Sequence, residues 1–278
     1  MPRFRLLAID IDGTLVNSQH ELSDRTRRAV LRAKRAGIEI VLATGRRYSR
    51  VLPLVEPLEL NVPLVTASGA LIKRACDHQT LFQAEFLPGA LDGCLATIAS
   101  HGYEAVLYGD TYHEGFDFYH RDVTTSCQLL TEFFAKNEGF GRVHARIMSE
   151  PPPGIFAGFA MGTRDQMHSL VDEIERAVPG QLYLHVLRSP RYAGYMCEIA
   201  PVGVSKWTGV WGLAEQWGIA AQEICAVGDD VNDIPMIEAA GLGVAMGNAV
   251  EETKAAADRV APTNDEDGLE QVVDWVLE

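Results

Sequence analysis

Short apolar runs, each followed by a loop that contains polar residues, constrain this chain more than any other feature of its sequence. The runs cover residues 6–9, 38–43, 62–66, 223–227 and 243–246. Almost every position in them is apolar, so they lack the alternation of a strand with one solvated face. Strands of this kind are typical of parallel sheets covered by helices on both faces. The runs therefore predict a buried parallel sheet.

Helical patterns separate these strands along the chain. Their ranges are 24–36, 205–217, 233–240, 252–257 and 269–277. Alternation of strands and helices predicts a doubly wound parallel-sheet α/β fold. Folds of this class bind ligands beyond the carboxyl ends of the strands, at the point where the strand order reverses. Polar residues directly after the apolar runs are therefore the candidates for function.

The middle of the chain follows a different pattern. Strand-like stretches occupy 103–108, 155–161 and 181–187, and helical stretches occupy 91–100, 123–135 and 164–177. Gaps between these strands are long and the alternation is loose. We therefore predict an α+β cap domain over residues 85–190, inserted into a discontinuous core made of residues 1–84 and 191–278.

Composition excludes several classes of protein. The 278 residues are 47% hydrophobic and carry a formal net charge of −14, which disfavours a nucleic acid or an anionic membrane as partner. Five cysteines without a C-x-x-C pair argue against a disulfide framework or a thiolate zinc site. Since no apolar run reaches the length of a signal peptide or a spanning helix, we expect a cytoplasmic protein. The sequence leaves a monomer and a homodimer open.

Two acidic loops follow two of the apolar runs. Asp10 and Asp12 come after the first run, and Gly228-Asp-Asp-Val-Asn-Asp233 follows the fourth. Two carboxylates about 4 Å apart repel each other by about 1 kcal/mol in water and about 4 kcal/mol at an effective dielectric constant near 20. Together with a bound phosphate, these acids require a cation. Hard oxygen ligands and a substrate phosphate favour Mg²⁺.

Potential phosphate-binding groups follow the second run. Thr44 offers a hydroxyl and Gly45 an amide at a predicted helix start, which suits a phosphate oxygen. Arg46 could pair with an acid or remain solvated. Lys206 lies in the first turn of a predicted helix, where the helix dipole disfavours a cation. We therefore expect a negative group to compensate Lys206.

These loops form a recognisable set of motifs. The set comprises Asp10-Ile-Asp-Gly-Thr-Leu15, Ala43-Thr-Gly-Arg46, Lys206, Gly228-Asp-Asp-Val-Asn-Asp233, Val244-Ala-Met-Gly-Asn-Ala249 and Thr263-Asn-Asp-Glu-Asp-Gly268. In this order they resemble the haloacid dehalogenase-like superfamily and, within it, the Cof-type phosphatases. The resemblance covers both core segments well and covers the middle segment only by its length and position.

The resemblance implies a role for each acid. Asp10 would be the nucleophile that forms an aspartyl-phosphate, and Asp12 would be the general acid and then the general base. Mg²⁺ would be held by the Asp10 carboxylate, the Asp12 backbone carbonyl and Asp229. Asp233 would orient Lys206 or a metal-bound water, and Asp230 would be only a loop acid.

The resemblance also implies how substrate is held. Lys206, Thr44, Gly45 and Asn232 would bind the oxygens of the transferring phosphoryl group. The inserted segment would close over the site, exclude water and read the leaving group. Its aromatic residues could form the cap's own small core, or Tyr112, His113 and His120 could reach the substrate.

Two positions depart from the family pattern. Ser68 stands where the family usually has asparagine, and a hydroxyl cannot replace all the hydrogen bonds of an amide. Trp207 follows the lysine where glycine is common, which places a large ring near or under the site. Neither departure removes a catalytic group.

The function that we predict is a Mg²⁺-dependent phosphatase of a small phosphorylated metabolite, such as a sugar phosphate. One alternative is a phosphomutase or phosphotransferase on the same scaffold, in which a hydroxyl of the substrate replaces water as acceptor. A second alternative, from another class, is a non-catalytic sensor of a phosphorylated ligand.

Overall fold

The computed structural model describes residues 3–58, 62–122, 128–188 and 193–278. Within them the chain forms two compact units. The first consists of Met1–Phe82 with Ser205–Glu278, and the second of Gln83–Val204. We call them the core unit and the inserted unit.

The strands of the described residues are numbered along the chain. They are β1 Leu6–Asp10, β2 Glu39–Ala43, β3 Pro63–Thr66, β4 Leu71–Arg74, β5 Thr80–Gln83, β6 Ala105–Gly109, β7 Phe118–His120, β8 Gly141–Val143, β9 Ile155–Gly162, β10 Leu182–Arg188, β11 Tyr195–Pro201, β12 Ile224–Gly228, β13 Leu242–Ala245 and β14 Arg259–Val260.

The α-helices are numbered in the same way. They are α1 Asp24–Arg35, α2 Tyr48–Val55, α3 Ala90–Ser100, α4 Gln128–Ala135, α5 Arg164–Ala177, α6 Lys206–Gln216, α7 Ile234–Ala239, α8 Glu251–Ala256 and α9 Leu269–Leu277.

The sheet of the core unit has the order β14-β13-β12-β1-β2-β3-β4-β5. Pairing is parallel from β14 through β3, and β4 runs antiparallel to β3. All residues of β1 and β12 are buried, as the continuous apolar runs predict. The predicted α/β fold class with a doubly wound, mostly parallel sheet is confirmed.

Strand order reverses at β1, which lies between β2 and β12. Asp10 pairs in register with Ala43, and Ile9 pairs with Val227. The loops after these three strands therefore start from adjacent points on one edge of the sheet. Helix α6 supports this edge, because its Val210 and Leu213 belong to the same apolar cluster as residues of β1 and β2.

The inserted unit is built on a six-stranded sheet of order β10-β11-β9-β6-β7-β8. Its pairs are antiparallel except for β7 with β8. Apolar residues of α3 and α5 pack on one face, against Leu107 and Cys197 among others. Helix α4 packs with Val106 and Phe159 in a separate cluster, so this unit is an α+β structure with its own core.

The structure places the second boundary of the inserted unit later than residue 190. Strand β11 pairs with β9 and β10, so it belongs to the inserted unit, and the core unit resumes at Ser205. The first boundary falls after Phe82 instead of residue 84. The sequence pattern predicts no element for residues 195–201, and the antiparallel pairing of β11 shows where this strand belongs. Residues 123–127 of one predicted helix lie outside the described residues.

None of the helices in the described ranges is long and apolar enough to cross a membrane. Cys76, Cys94, Cys197 and Cys225 are free thiols, and Cys127 lies outside the described residues. A cytoplasmic location and the oligomeric state stay predictions.

Gly69 provides a test of how tightly the loop after β3 packs against the start of α6. Its φ is 107°, and a Cβ at this position would lie only 2.1 Å from the Ser205 carbonyl oxygen, so both features exclude a side chain. Gly37 has a φ of 87° but nothing within 4 Å of its Cβ position. We expect Gly37→Ala to lower the free energy of unfolding by about 1 kcal/mol, because alanine is strained at this positive φ. Gly69→Ala should lower it by about 2 kcal/mol more than Gly37→Ala does, because the Ser205 backbone must also move to admit the methyl group. Urea unfolding measures both, and equal costs would contradict the close packing.

Candidate active site

A buried ammonium group joins two of the acidic loops. Lys206 is the first residue of α6 and is only 2% exposed. Its Nζ donates to Asp10 Oδ1 at 2.7 Å, to Asp233 Oδ1 at 2.7 Å and to Asn232 Oδ1 at 3.0 Å. The predicted negative partners of this lysine are therefore two buried carboxylates.

Burial and charge pairing together determine the ionisation of this cluster. Burial lowers the pKa of Lys206, but attraction to Asp10 and Asp233 outweighs burial and raises that pKa above its usual value. For Asp10, burial raises the pKa, Lys206 opposes this, and Asp233 and Asp229 add to it. The net direction for the pKa of Asp10 is strongly upward. One lysine is thus not enough to neutralise the surrounding acids.

Asp233 is fixed by bonds to both of its oxygens. Oδ1 accepts from Lys206, and Oδ2 accepts from the backbone N–H groups of Asp229 and Asp230 at 3.0 and 3.1 Å. Gly228 makes this arrangement possible, because a Cβ there would lie 2.3 Å from the Asp233 carboxyl carbon. The Asp230 side chain accepts from the Val231 N–H and faces solvent, which fits a loop acid.

Asp229 lies against the loop after β1. Gly13 has a φ of 75°, and a Cβ there would lie 2.1 Å from Asp229 Oδ2. Asn248 Nδ2 donates to the Gly13 carbonyl at 2.8 Å and lies 3.5 Å from Asp229 Oδ2. Its Oδ1 accepts from the Asn264 N–H at 2.9 Å. This amide therefore ties together three loops around the carboxylate.

The acids fit a divalent cation by charge and donor type. Ligand oxygens of Asp10, Asp229 and Asp233 lie within 4.8 Å of one another. Three carboxylates and one ammonium leave two negative charges uncompensated. Burial first, and then Asp233, raise the pKa of Asp229 to about 7, as expected for a carboxylate that lacks a counter-ion. Since both Asp233 oxygens are already bonded, Asp10 and Asp229 are the carboxylates left for a metal.

Asp12 occupies a position that its residue type alone does not predict. Arg46 Nε donates to Asp12 Oδ2 at 2.6 Å, and Arg46 Nη2 donates to Oδ1. His20 Nδ1 lies 3.5 Å from the same Oδ1. Of the two alternatives for Arg46, the pairing with an acid is the one observed. The Asp12 side chain therefore points to a guanidinium, and only its backbone carbonyl would be offered to a metal.

Residues predicted to bind phosphate lie around the same edge of the sheet. Thr44 and Gly45 directly follow β2, whose last residue pairs with Asp10. Thr44 is buried and its Oγ1 accepts from the Arg46 N–H at 3.1 Å, whereas Gly45 is exposed. Because Asn232 uses its Oδ1 to accept from Lys206, its Nδ2 remains the donor that it can present to a ligand.

The structure accommodates Ser68 and Trp207, the two residues that depart from the family pattern. Ser68 is buried with a φ of 56°, a left-handed conformation that serine adopts less readily than asparagine. Its N–H donates to the Thr44 carbonyl at 3.0 Å, so the loop stays joined to Thr44. The Trp207 ring stacks on Trp211, with centroids 5.7 Å apart, and packs against the apolar cluster beneath the sheet.

Sequence reasoning missed two residues that shape this site. Asn248 and Asn264 lie in the quoted subfamily motifs, but the motifs alone give them no role. Asn264 donates its N–H to Asn248 and its Nδ2 to the Val16 carbonyl. Their signal was an asparagine in the loop that follows a strand, Asn248 after β13 and Asn264 after β14.

Comparison with known proteins agrees with this fold. The family model described as haloacid dehalogenase-like hydrolase matches residues 7–273. The chain is similar to phosphatase YwpJ of Bacillus subtilis (strain 168), with 30% identity over 98% of this chain and 100% of that protein. It is 28% identical to the 5-amino-6-(5-phospho-D-ribitylamino)uracil phosphatase YitU of the same strain, over 95% of this chain and 94% of that protein.

A solved structure shows the same architecture. A haloacid dehalogenase-like hydrolase from Bacteroides thetaiotaomicron superposes with a TM-score of 0.79 at 27% identity, over 98% of this chain and 99% of that one. The fold therefore places this chain in the class of hydrolases with a doubly wound core. The chain belongs to the haloacid dehalogenase-like hydrolase family, as its motifs predict. It is a phosphatase of that family.

The raised pKa of Asp229 predicts how the affinity for a divalent cation depends on pH. A metal needs the ionised carboxylate, so a pKa of about 7 means that protons compete with the metal below that pH. Affinity should therefore fall by about tenfold or more for each pH unit below 7. Isothermal titration calorimetry between pH 5.5 and 8.5 measures this. Asp172→Asn, which removes an exposed carboxylate on α5 of the inserted unit, is the control and should keep the profile, while an affinity independent of pH would contradict the prediction.

Proposed function

We propose that this protein is a Mg²⁺-dependent phosphatase that hydrolyses a small phosphorylated metabolite through an aspartyl-phosphate on Asp10. The observation that carries the proposal is the buried cluster of Lys206 with Asp10 and Asp233 at the carboxyl end of β1. It presents a fixed carboxylate nucleophile beside a fixed cation. A phosphoryl group placed there would meet both the attacking oxygen and a counter-charge for its own oxygens.

Mg²⁺ would be held by the carboxylates of Asp10 and Asp229 and by the Asp12 backbone carbonyl. When bound, it neutralises the two uncompensated negative charges and so lets a phosphate approach the carboxylates. Asn248 supports this assignment, because its amide lies between the Gly13 carbonyl and the Asp229 carboxylate.

Two half-reactions follow from the positions of the acids. In the first, an Asp10 oxygen attacks phosphorus while the bond to the leaving oxygen breaks, and Asp12 gives a proton to that oxygen. In the second, water attacks the same phosphorus, Asp12 takes a proton from the water, and the Asp10–phosphorus bond breaks with its electron pair returning to Asp10. Inorganic phosphate is released and both acids are restored.

Four groups would hold the transferring phosphoryl oxygens: Lys206, the Thr44 hydroxyl, the Gly45 amide and the Asn232 amide. Fixed donors of this type stabilise the charge that spreads over those oxygens in the transition state. Asp233 acts on Lys206 and not on the substrate, since its two oxygens are bonded to Lys206 and to backbone N–H groups.

A small phosphorylated metabolite is the substrate class that we propose, with sugar phosphates and related phosphomonoesters as the first candidates. Support comes from the relative named as a 5-amino-6-(5-phospho-D-ribitylamino)uracil phosphatase. We further propose that the inserted unit, Gln83–Val204, acts as the cap that selects the leaving group. Nucleic acids and membranes are not expected as partners, and the proposed location is the cytoplasm.

Product analysis with a panel of phosphomonoesters tests the activity. We expect free phosphate to accumulate with Mg²⁺ and without any added acceptor, which a pure phosphomutase would not produce. Asp10→Asn should abolish turnover while thermal unfolding shows an intact fold, because the variant lacks the attacking carboxylate oxygen. Asp230→Asn is the matched control and should keep activity. A fully active Asp10→Asn variant would contradict the nucleophile, and inactivity of the native protein on the whole panel would favour a sensor.

Chelation tests the metal. Excess EDTA should reduce turnover to background, because the acids would again repel the phosphate, and added Mg²⁺ should restore it. The measurement is phosphate release before chelation, in chelator and after Mg²⁺ is returned. Full activity in chelator would contradict a metal-dependent reaction.

A further inference from the structure

The contact between Arg46 and Asp12 is not used in the reaction described above. Both Asp12 oxygens accept from the same guanidinium, through Nε and Nη2, in a two-pronged arrangement. Such pairs fix orientation as well as charge, because the planar donors match the planar carboxylate. The Arg46 side chain is 11% exposed and that of Asp12 is 43% exposed, so the arginine is the anchored partner.

Arg46 is itself held by the loops beside the nucleophile. Its N–H donates to Thr44 Oγ1, and its carbonyl accepts from the Ala67 N–H at 2.9 Å. The adjacent Ser68 N–H donates to the Thr44 carbonyl. The arginine backbone is thus fixed between the loops after β2 and β3, and its side chain reaches back to the loop after β1.

We propose that Arg46 is a positioning residue that holds the Asp12 carboxylate for the second half-reaction, the hydrolysis of the aspartyl-phosphate. The inference rests on the proposed function. In that step the Asp12 carboxylate has to face the attacking water, and the two-pronged contact with Arg46 fixes the orientation of this carboxylate. Arg46 then keeps this exposed side chain from turning into solvent while water attacks phosphorus.

Atoms balance in this half-reaction without any contribution of a proton from Arg46. One water proton passes to Asp12, the water oxygen forms the new bond to phosphorus, and the bond from phosphorus to Asp10 breaks. Arg46 only orients the acceptor. Its removal should therefore slow breakdown of the intermediate more than its formation, provided that formation needs no proton from Asp12.

p-Nitrophenyl phosphate is a substrate for which formation of the intermediate needs no proton from Asp12, because its leaving group departs as a stable anion. With this substrate, rapid acid quench and intact-protein mass spectrometry give separate rate constants for formation and breakdown of the phosphorylated enzyme. For Arg46→Ala we expect breakdown to fall by about tenfold or more, in line with the cost of misplacing a catalytic group. Formation should stay within about threefold, so the phosphorylated enzyme accumulates.

Two variants serve as controls. Arg46→Lys keeps the charge without the two-pronged geometry and should restore breakdown only in part. Arg74 also pairs with a carboxylate through two nitrogens, since its Nε donates to Asp77 Oδ1 and its Nη2 lies 2.9 Å from Asp77 Oδ2, so Arg74→Ala should leave both rate constants unchanged. Equal losses in formation and breakdown in Arg46→Ala would overturn the proposal, and so would no change in either. If the native protein forms no phosphorylated enzyme, the proposed function itself fails, whatever the result for Arg46.

Discussion

The ion cluster of Lys206 with Asp10 and Asp233 is the interaction on which the rest of this structure depends. It joins the end of β1, the start of α6 and the loop after β12, which are far apart in the sequence. A buried ion pair contributes little net stability, because desolvation offsets most of the attraction. Removing one partner, in contrast, leaves an uncompensated buried charge. The cluster therefore specifies how the three segments meet more than it strengthens the fold.

Glycines make this cluster geometrically possible. A side chain at Gly228 would overlap the Asp233 carboxyl, and one at Gly13 would overlap Asp229. Gly69 admits the Ser205 backbone in the same way. At Gly13 and Gly228 the space that a side chain would need is filled by a carboxylate of the site, and at Gly69 it is filled by backbone, so only glycine fits at these three positions. Packing in the loops, and not only the apolar sheet beneath them, determines where the acids lie.

The sequence predicts the strands and the residues at their ends well, because parallel strands bring their carboxyl ends to one edge. Asp10, Thr44 and Asp229 are therefore placed together by strand order alone. It does not predict that Asp12 turns toward Arg46, since that depends on side-chain rotamers and on loops joined through Ala67. Nor does it assign β11 correctly, because one apolar strand can pair in either of two sheets. Local pattern determines the kind of element, whereas its partners depend on the tertiary structure.

The net charge of −14 disfavours polyanions as partners, yet it says little about phosphate at this site. Charges on the surface are screened beyond about 8–10 Å at ordinary salt, so a ligand at contact distance responds to its neighbours. Asp12 and Arg46 cancel, and Lys206 compensates one of the three remaining carboxylates. Two negative charges are left, which would repel a phosphate dianion. A divalent cation would neutralise these two charges. An acidic protein can therefore bind an anionic substrate, because the ligand responds to the charges next to it and not to the net charge.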